Sequence, residues 1–334
     1  MSSDDDITVR LVTPQEASLL IGLIWSCYGE TYIDPSFYDE TAVSELLASR
    51  RLHSIGAFTD AGQLVGHMGI TLRPHGGITA DAGMTLVDPR FRGRGIARRV
   101  AVGLAEQSMA LGLVGVHDYP VTVHAATQRI GAGFGVDTGL MLANMPGDVV
   151  FQEMETPTPD SRTSSLIRWL PFGLAPERSV YLPERYREQI QALYAEAHLT
   201  RTVLPSDDHL GERQSQLESA YDERRQILRV AVMRGSSDLA AKVEAEIGGA
   251  VKRGGLVAQV DLPLADPATP VGTETLRAQG FSFAGLLPEY RDGDVLRMQW
   301  LADSVDDAAF SILSTDSTRA IEEFVLKDRG SKSG

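Results

Sequence analysis

The chain has 334 residues, a formal net charge of −14 and a hydrophobic content of 43%. A single hydrophobic core seldom serves more than about 250–300 residues, so this length predicts two domains of a soluble, globular protein. The negative charge argues against nucleic acid or an anionic membrane as a partner, because both bind basic surfaces. It favours a cationic or amine-bearing small molecule.

The only cysteine, Cys27, excludes an intrachain disulfide, and its apolar neighbours indicate a buried thiol. Residues 1–6 are acidic and polar, unlike a signal peptide. No apolar run approaches the roughly 20 residues that a membrane span needs. We therefore expect a cytoplasmic protein that has no membrane partner.

The first 146 residues predict a mixture of strands and helices, because apolar residues alternate in some segments and recur at helical spacing in others. Thr13, Pro14 and Glu16 form the start signal of the first helix. In chain order we expect strand 7–12, helices 14–28 and 40–51, strands 54–59, 63–72 and 78–87, helix 96–111, strand 114–123, helix 125–132 and strand 136–142.

A glycine turn follows the strand that ends at Val87. The segment Arg90-Phe91-Arg92-Gly93-Arg94-Gly95 leads into a helix, and its two glycines leave no Cβ to keep a ligand away from the backbone N–H groups. The positive end of the helix dipole lies behind the turn, so a phosphate or pyrophosphate is the expected ligand. Three arginines add positive charge in an otherwise acidic chain.

The spacing of this turn separates the known kinds of phosphate loop. A Walker loop requires Lys-Ser or Lys-Thr after its last glycine, where this chain has Ile96-Ala97, and a dinucleotide fingerprint requires a third glycine. The sequence Arg-x-x-Gly-x-Gly after Val87-Asp88-Pro89 closely resembles the coenzyme A pyrophosphate loop of the GCN5-related N-acetyltransferase (GNAT) family. The predicted order β-α-α-β-β-β-α-β-α-β is also the one that the GNAT fold uses. The alternative is an unrelated strand-turn-helix.

The resemblance implies that acetyl-CoA or another acyl-CoA is the co-substrate, with no metal. It assigns CoA binding to the end of the strand and to the turn: Leu86, Val87, Arg90, Arg92, Gly93, Arg94, Gly95, Ile96 and Ala97. It also places the aromatic loop after the first helix beside the cleft for the acceptor, the molecule that receives the acyl group. Tyr28, Glu30 and Tyr32 are expected to lie nearest this cleft. The alternative is that these aromatic residues simply pack the first two helices.

The chain departs from the family at the expected general acid. GNAT members usually continue with Asn-x6-Tyr-x3-Gly-Phe, in which the Asn contacts pantetheine and the Tyr can protonate the leaving thiolate. Counting from His124 places Gly131 at the tyrosine position. His124 can replace the Asn as a hydrogen-bond donor, but Gly131 cannot donate a proton. Protonation must come from another residue or from water, or ordinary acetyl transfer does not occur.

Three residues are candidates for acid–base catalysis: Asp81, His117 and His124. Many GNAT members hold a glutamate near the position of Asp81, from which water relays the amine proton; such a carboxylate must be partly buried to titrate near neutral pH. His117 and His124 belong, with Asp118 and Tyr119, to the densest titratable cluster of the chain. The alternatives are that Asp81 is simply a solvated carboxylate, and that one of the two histidines satisfies backbone hydrogen bonds while the other is solvated.

The remaining residues predict a linker, a second lobe and a tail. Residues 147–178 are the linker, polar and proline-rich at 155–165, with a short apolar crossing at 166–172. In residues 179–303 we expect helix 184–199, strands 214–221 and 226–233, helix 239–252, strand 256–262, helix 271–279 and strands 281–287 and 295–301. The turn Arg234-Gly235-Ser236-Ser237 lacks the Arg-x-x-Gly-x-Gly spacing, so this lobe is not expected to bind CoA. The tail, 304–334, carries a predicted helix at 318–327.

We therefore predict an α/β protein (α+β mixed sheet) with two GNAT-like lobes, each a central, mostly antiparallel mixed sheet flanked by helices. Residues 7–146 are the acyl-CoA-binding domain, and residues 179–303 are a degenerate GNAT-like domain. The expected function is transfer of an acyl group from an acyl-CoA to the amine of a small molecule (EC 2.3.1 class), by a monomer or homodimer. The alternatives are a CoA-sensing module without turnover and a different acyl-CoA step, such as decarboxylation.

Overall fold

The computed structural model describes residues 7–74, 76–154, 161–206, 214–305 and 312–330. The acidic N-terminus, part of the predicted linker (155–160), part of the tail (306–311) and its polar end (331–334) therefore lie outside the described residues.

The described residues form fourteen strands, most of them in one sheet. They are β1 (Ile7–Leu11), β2 (Leu52–Thr59), β3 (Leu64–Thr71), β4 (Thr79–Val87), β5 (Gly115–Asp118), β6 (Val136–Pro146), β7 (Arg162–Pro171), β8 (Arg178–Val180), β9 (Arg201–Val203), β10 (Gln216–Asp222), β11 (Ile227–Arg234), β12 (Val257–Pro263), β13 (Ser282–Leu287) and β14 (Val295–Leu301). β8 and β9 pair with each other. The other twelve strands form a mixed sheet in the order β1-β2-β3-β4-β5-β7-β6-β13-β14-β12-β11-β10.

Eight α-helices in the described residues flank the strands. They are α1 (Ala17–Tyr28), α2 (Glu40–Ala48), α3 (Ile96–Ala110), α4 (Ala126–Gly131), α5 (Arg187–Glu196), α6 (Leu239–Val251), α7 (Thr269–Ala278) and α8 (Asp316–Gly330). Successive residues of β2 point to different apolar layers: Ala57 packs in the layer of α3, and Phe58 in the layer of α1 and α2. α1 and α3 therefore cover opposite faces of the sheet. None of these helices combines the length and apolar character that a bilayer crossing demands.

The first half of the molecule, residues 7–171, follows the predicted order of strands and helices closely. The start signal of the first helix is present as a capping box: Thr13 and Glu16 exchange hydrogen bonds at the beginning of a short 3-10 turn that precedes α1. The predicted mixed α/β fold is confirmed.

Strand β7 differs from the sequence prediction, which placed residues 162–171 in a linker. The strand inserts between β5 and β6, pairing antiparallel with both. Its arginines are buried without being unpaired: Arg162 donates to the carbonyl of Ala143 at 2.9 Å, and Arg168 binds Asp137 at 2.6 Å. A segment with Arg, Thr and Ser has the composition of a surface connector, and only its tertiary partners make it a central strand.

Strand β5 is shorter than the predicted strand 114–123. It ends at Asp118, because Pro120 has no backbone N–H to continue the ladder. Beyond it the chain keeps contact with β7 through the carbonyl of Pro120, which accepts from the N–H of Leu166 at 2.9 Å.

The second half, residues 178–301, repeats part of the strand order of the first. β11 and β12 are parallel, as β4 and β5 are, and each pair is joined by a helix. Counted outward from the middle of the sheet, the order β13-β14-β12-β11 in the second half corresponds to the order β6-β7-β5-β4 in the first half. The predicted strands and helices of this half are all present, within a few residues, and the predicted helix 318–327 lies within α8.

The two halves join edge to edge through β6 and β13, with Gly139 opposite Gly285. A Cβ at Gly139 would lie 2.1 Å from the carbonyl oxygen of Ala284, so only glycine permits this approach. An apolar core crosses the junction: Leu140, Leu166 and Trp169 pack in one cluster with side chains of the second half. The junction therefore depends on close backbone contact and on shared packing.

We predict that Gly139→Ala destabilises the protein by about 1–3 kcal/mol, because a methyl group must displace the backbone of β13. The free energy of unfolding in urea measures the effect. Gly249→Ala is the control: Gly249 is exposed in α6 and has open space around it, so its replacement is expected to be neutral or stabilising. Equal stability of Gly139→Ala and the unmodified protein would contradict this account of the junction.

Candidate functional site

The site begins where two parallel strands of the first half separate. β4 and β5 pair over only four residues, from Thr79 opposite Gly115 to Ala82 opposite Asp118. β4 then continues to Val87, whereas β5 has ended. The edge of β4 from residue 83 to 87 therefore lines an opening in the sheet, where the N–H and C=O groups that do not bond to β3 or to side chains are available to a ligand.

An irregularity in β4 shapes this opening, and a buried histidine holds it. Met84 has φ +54°, and the register with β3 shifts beside it. His67 donates from Nδ1 to the carbonyl oxygen of Met84 at 2.9 Å, and its Nε2 lies 2.5 Å from the hydroxyl of Ser54. Burial lowers the pKa of His67 to about 4, so the ring is neutral at physiological pH. His67 therefore has a structural role, since it positions the backbone of β4.

The opening leads into a cavity of about 640 Å³, which extends to the second half of the chain. Its walls come from α1 and its following loop, from β4, from the turn before α3, from the segment after β5, and from the strands of the second half. Arg225, Arg229, Gln259, Tyr290 and Arg297 are the wall residues that the second half supplies. The site is therefore built by both halves of the chain.

The glycine turn forms one end of the cavity. Gly93 and Gly95 have φ +78° and +72°, and a Cβ at either position would meet no atom within 4 Å. The backbone thus faces open space at the N-terminus of the 15-residue helix α3, as an anion site requires. Seven of the nine CoA-assigned residues line the cavity: Leu86, Val87, Arg92, Gly93, Gly95, Ile96 and Ala97.

The other two assigned residues lie outside the cavity wall. Arg90 forms two hydrogen bonds with the carboxylate of Asp88, which lower the pKa of Asp88. Arg94 lies over the ring of Phe91, 4.9 Å from its centre. Arg92 does line the cavity, and it donates to the carbonyl oxygen of Gln152 at 2.7 Å.

Asp81 lies on the cavity wall within a network of polar side chains. Its Oδ1 accepts from Arg73 at 2.6 Å and from the hydroxyl of Tyr119 at 3.0 Å, and about a third of its side chain is exposed. Burial, followed by the charge of Asp81, raises the pKa of Tyr119 well above its usual value. Tyr119 therefore stays protonated and presents its hydroxyl between the carboxylate and the cavity.

His117 lies next to this network but is not part of the cavity wall. Its Nδ1 accepts from Arg73 at 2.9 Å, and its ring packs against Trp169 and Tyr290. Burial and the charges of Arg73 and Arg297 lower the pKa of His117 well below its usual value. The ring is neutral, completely buried and suited to positioning Arg73.

His124 lies on the cavity wall, apart from His117. Its ring meets Phe151 edge-on at 5.0 Å, and burial lowers its pKa to about 4. Within the described residues its Nδ1 is buried and has no hydrogen-bond partner. A neutral imidazole with an unbonded nitrogen on the cavity wall is able to form a hydrogen bond with an amide of a ligand.

The tyrosine position, Gly131, is occupied by a neighbouring side chain. A Cβ at Gly131 would lie 2.5 Å from Nη1 of Arg168, so the guanidinium fills the space that a larger residue would need. Close by, Asp118 lines the cavity, and burial raises its pKa to about 6, although the charge of Arg168 opposes this rise. Asp118 is therefore a carboxyl group able to exchange protons near neutral pH.

The aromatic loop contributes two of its three assigned residues. Tyr28 and Tyr32 line the cavity with their rings 5.0 Å apart, and burial raises the pKa of both. Glu30 is exposed and lies away from the wall. Tyr28 also packs on Phe151, so these rings serve both the apolar packing and the cavity.

Sequence reasoning missed the contribution of the second half. One signal was available: Arg297 lies in an apolar strand, Val295–Leu301, where a buried charge requires a partner or a ligand. Another was the basic run Arg224, Arg225 and Arg229 in an acidic chain. Neither signal indicates which cavity the side chains reach, because that depends on the pairing of β6 with β13.

Residues 18–125 match the acetyltransferase (GNAT) family. The match includes β4, the glycine turn and α3, and it supports acyl transfer from an acyl-CoA as the general chemistry. No curated protein matches the sequence.

Solved structures similar to the chain include several N-acetyltransferases. A putative acetyltransferase of the GNAT family from Desulfovibrio desulfuricans is 17% identical and has a TM-score of 0.38; the match covers 50% of this chain and 99% of that one. An N-acetyltransferase from Staphylococcus aureus is 15% identical and has a TM-score of 0.40; the match covers 50% of this chain and 99% of that one. A GNAT family N-acetyltransferase from Escherichia coli in complex with CoA is 14% identical and has a TM-score of 0.34; the match covers 52% of this chain and 84% of that one.

We predict that His67 contributes a pH-dependent part of the stability. The unfolded histidine binds a proton below a pKa of about 6.5 and the folded one only near 4, so stability is lost as pH falls through this range. The difference in unfolding free energy between the unmodified protein and His67→Gln should fall by about 3 kcal/mol from pH 7 to pH 4. Chemical denaturation at several pH values measures it, and a difference independent of pH would contradict the assignment.

Proposed function

We propose that the protein transfers an acyl group from acetyl-CoA or a related acyl-CoA to the amine of a small molecule. One observation carries the proposal: the opening between β4 and β5 connects a glycine turn shaped for pyrophosphate with a carboxylate and a tyrosine. A pantetheine arm of CoA that starts at the turn and follows the edge of β4 leads to Asp81 and Tyr119. N–H groups near Leu86 and Val87 are suited to polarise the thioester carbonyl.

In this proposal Asp81 accepts a proton from the acceptor's ammonium group, and the neutral amine then attacks the thioester carbonyl. The carbon–sulfur bond breaks as the amide forms; the nitrogen releases its second proton to water, and the leaving thiolate takes a proton. Tyr119 is the proposed donor of that proton, since Gly131 cannot supply one. Tyr119 recovers a proton from Asp81 through the hydrogen bond between them.

The second half, as we propose, is a degenerate GNAT-like lobe that closes the acceptor side of the cavity. Its turn after β11 supports this role, because two of its backbone donors are already bonded. The N–H of Ser236 donates to the hydroxyl of Ser215 at 2.9 Å, and the N–H of Gly235 donates to the carboxylate of Asp266 at 3.4 Å. A turn that is satisfied by its own side chains has little to offer a pyrophosphate.

The proposal is tested by measuring thiol release from acetyl-, propionyl- and malonyl-CoA with a panel of amines. Amine-dependent release supports acyl transfer. CoA binding without release would replace it by a sensing role, and release of carbon dioxide from malonyl-CoA without an amine would replace it by decarboxylation. Failure to bind any CoA compound would overturn the assignment of the turn.

We predict that Gly93→Val weakens acetyl-CoA binding at least tenfold, because a branched side chain strains the turn and covers its N–H groups. Isothermal titration calorimetry measures the dissociation constant. Gly62→Val is a matched control: Gly62 has φ +79° in the β2–β3 hairpin, with open space around it, so it experiences the same strain far from the cavity. Equal effects of the two variants on CoA binding would contradict the proposed role of the turn.

We also predict that Tyr119→Phe lowers kcat by about 10²-fold or more while leaving the affinity for acetyl-CoA unchanged, as expected for a lost proton donor. Tyr221→Phe is the control, since the Tyr221 hydroxyl donates to the carbonyl of Arg253 outside the cavity. Unchanged kcat in Tyr119→Phe would exclude this role. If Asp118→Asn instead removed a kinetic pKa near 6, Asp118 would be the group that transfers the proton.

A further inference from the structure

The part of the cavity wall supplied by the second half carries an excess of positive charge. Arg297 is fully paired, because its Nε and Nη2 bind the two oxygens of Asp261 at 2.7 and 2.8 Å. Arg225 and Arg229, in contrast, share one carboxylate: Asp222 lies 2.9 Å from Arg225 and 3.5 Å from Arg229. Two guanidinium groups thus face a single negative charge.

The contact of Arg229 with Asp222 is long for a hydrogen bond, so it satisfies little of the donor capacity of this side chain. The Arg229 side chain is 42% exposed, yet it lines a cavity and is surrounded by protein. Burial and repulsion from Arg225 and Arg297 lower the pKa of Arg229, although an arginine remains charged at any physiological pH. A partly buried cation of this kind favours an anionic ligand.

A second observation points to a ligand at the same place. Gln259 lies opposite Arg229 in the parallel pair β11–β12, and it is 1% exposed. Its Nε2 donates to Asn144 at 3.1 Å, and among the described residues its Oε1 is buried without a hydrogen-bond partner. A buried acceptor on a cavity wall costs free energy unless a ligand or water donates to it.

A continuous stack of side chains connects this region with Asp81. Arg73, which binds Asp81, lies 4.1 Å from the centre of the Tyr290 ring, and Arg297 lies 5.3 Å from the same ring. All of these groups, except Arg73, line one cavity. The carboxylate of Asp81 and the excess positive charge at Arg225 and Arg229 therefore lie on the wall of the same cavity.

We propose that Arg225 and Arg229 bind an anionic group of the acceptor, so that the substrate is an amine that also carries a carboxylate or a phosphate. The proposal rests on the proposed acyl transfer and specifies its acceptor. It differs from the expectation drawn from the net charge of −14, because the acceptor meets the local charge of the cavity wall rather than the charge of the whole chain. The guanidinium groups bind the anion while Asp81 receives the amine, and Gln259 accepts a hydrogen bond from a neighbouring N–H or O–H of the ligand.

The test compares amines in matched pairs that differ only in the anionic group. The pairs are glycine and glycinamide, 4-aminobutyrate and 4-aminobutanamide, and 2-aminoethyl phosphate and ethanolamine. With saturating acetyl-CoA, the full chain is expected to show kcat/KM at least tenfold higher for the anionic member of at least one pair. The first two pairs report on a carboxylate and the third on a phosphate.

Arg229→Gln is expected to reduce kcat/KM for the preferred anionic amine by about 10–100-fold, mainly through KM, and Arg229→Lys should restore part of it. The KM for acetyl-CoA should not change, and the loss with the neutral partner should be much smaller than the loss with the anionic amine. Arg224→Gln is the matched control, because Arg224 precedes Arg225 but pairs with Asp148 on the surface, outside the cavity. A preference for the neutral amines, or an equal loss in Arg224→Gln, would overturn the proposal.

Calorimetry with the same six amines, in the presence of CoA, separates failure of this subsite from failure of acyl transfer. Tighter binding of an anionic member, lost in Arg229→Gln, would support the subsite even if no thiol were released. If CoA bound and no anionic amine bound more tightly than its neutral partner, the subsite would be overturned and the CoA site would stand. Weaker CoA binding in Arg229→Gln would assign these arginines to the phosphates of CoA instead.

Discussion

The separation of β4 and β5 after four paired residues is the constraint on which the rest of the site depends. Two parallel strands that stayed paired would use the N–H and C=O groups that here face a cavity. The separation has causes on both strands. His67 fixes the irregular backbone at Met84, and Pro120 prevents β5 from continuing. The sheet nevertheless remains continuous, because β7 pairs with β5 on its other side.

Much of the first half could be predicted from the sequence because its signals are local. The helix start at Thr13 and Glu16, the glycine turn and the alternation within β2 to β4 are each determined by neighbouring residues. Strand β7 could not be predicted in the same way. Its polar residues become buried only because Asp137 and the carbonyl of Ala143 are brought to them by the fold.

In the candidate site, too, only the local features could be predicted from the sequence. The turn before α3 follows from its spacing, and most of its assigned residues line the cavity. The histidine cluster did not stay together, since His117 is buried behind the wall and His124 lies on it. The arginines of the second half could not be assigned, because no local pattern shows that β6 and β13 will pair. Gly131 has a physical explanation as well: Arg168, held by Asp137, fills the space above it.

The junction between Gly139 and Gly285 has a consequence for how the two halves can differ. In an assembly of identical subunits every substitution occurs on both sides of the interface, so a site on one side cannot be lost without losing its copy. When both sides are encoded in one polypeptide, that symmetry is removed. The N–H groups of the turn after β11 are free to be bonded by Ser215 and Asp266, while the turn at Gly93 stays open. A basic wall likewise arises on one side alone, and the cavity becomes a single asymmetric site.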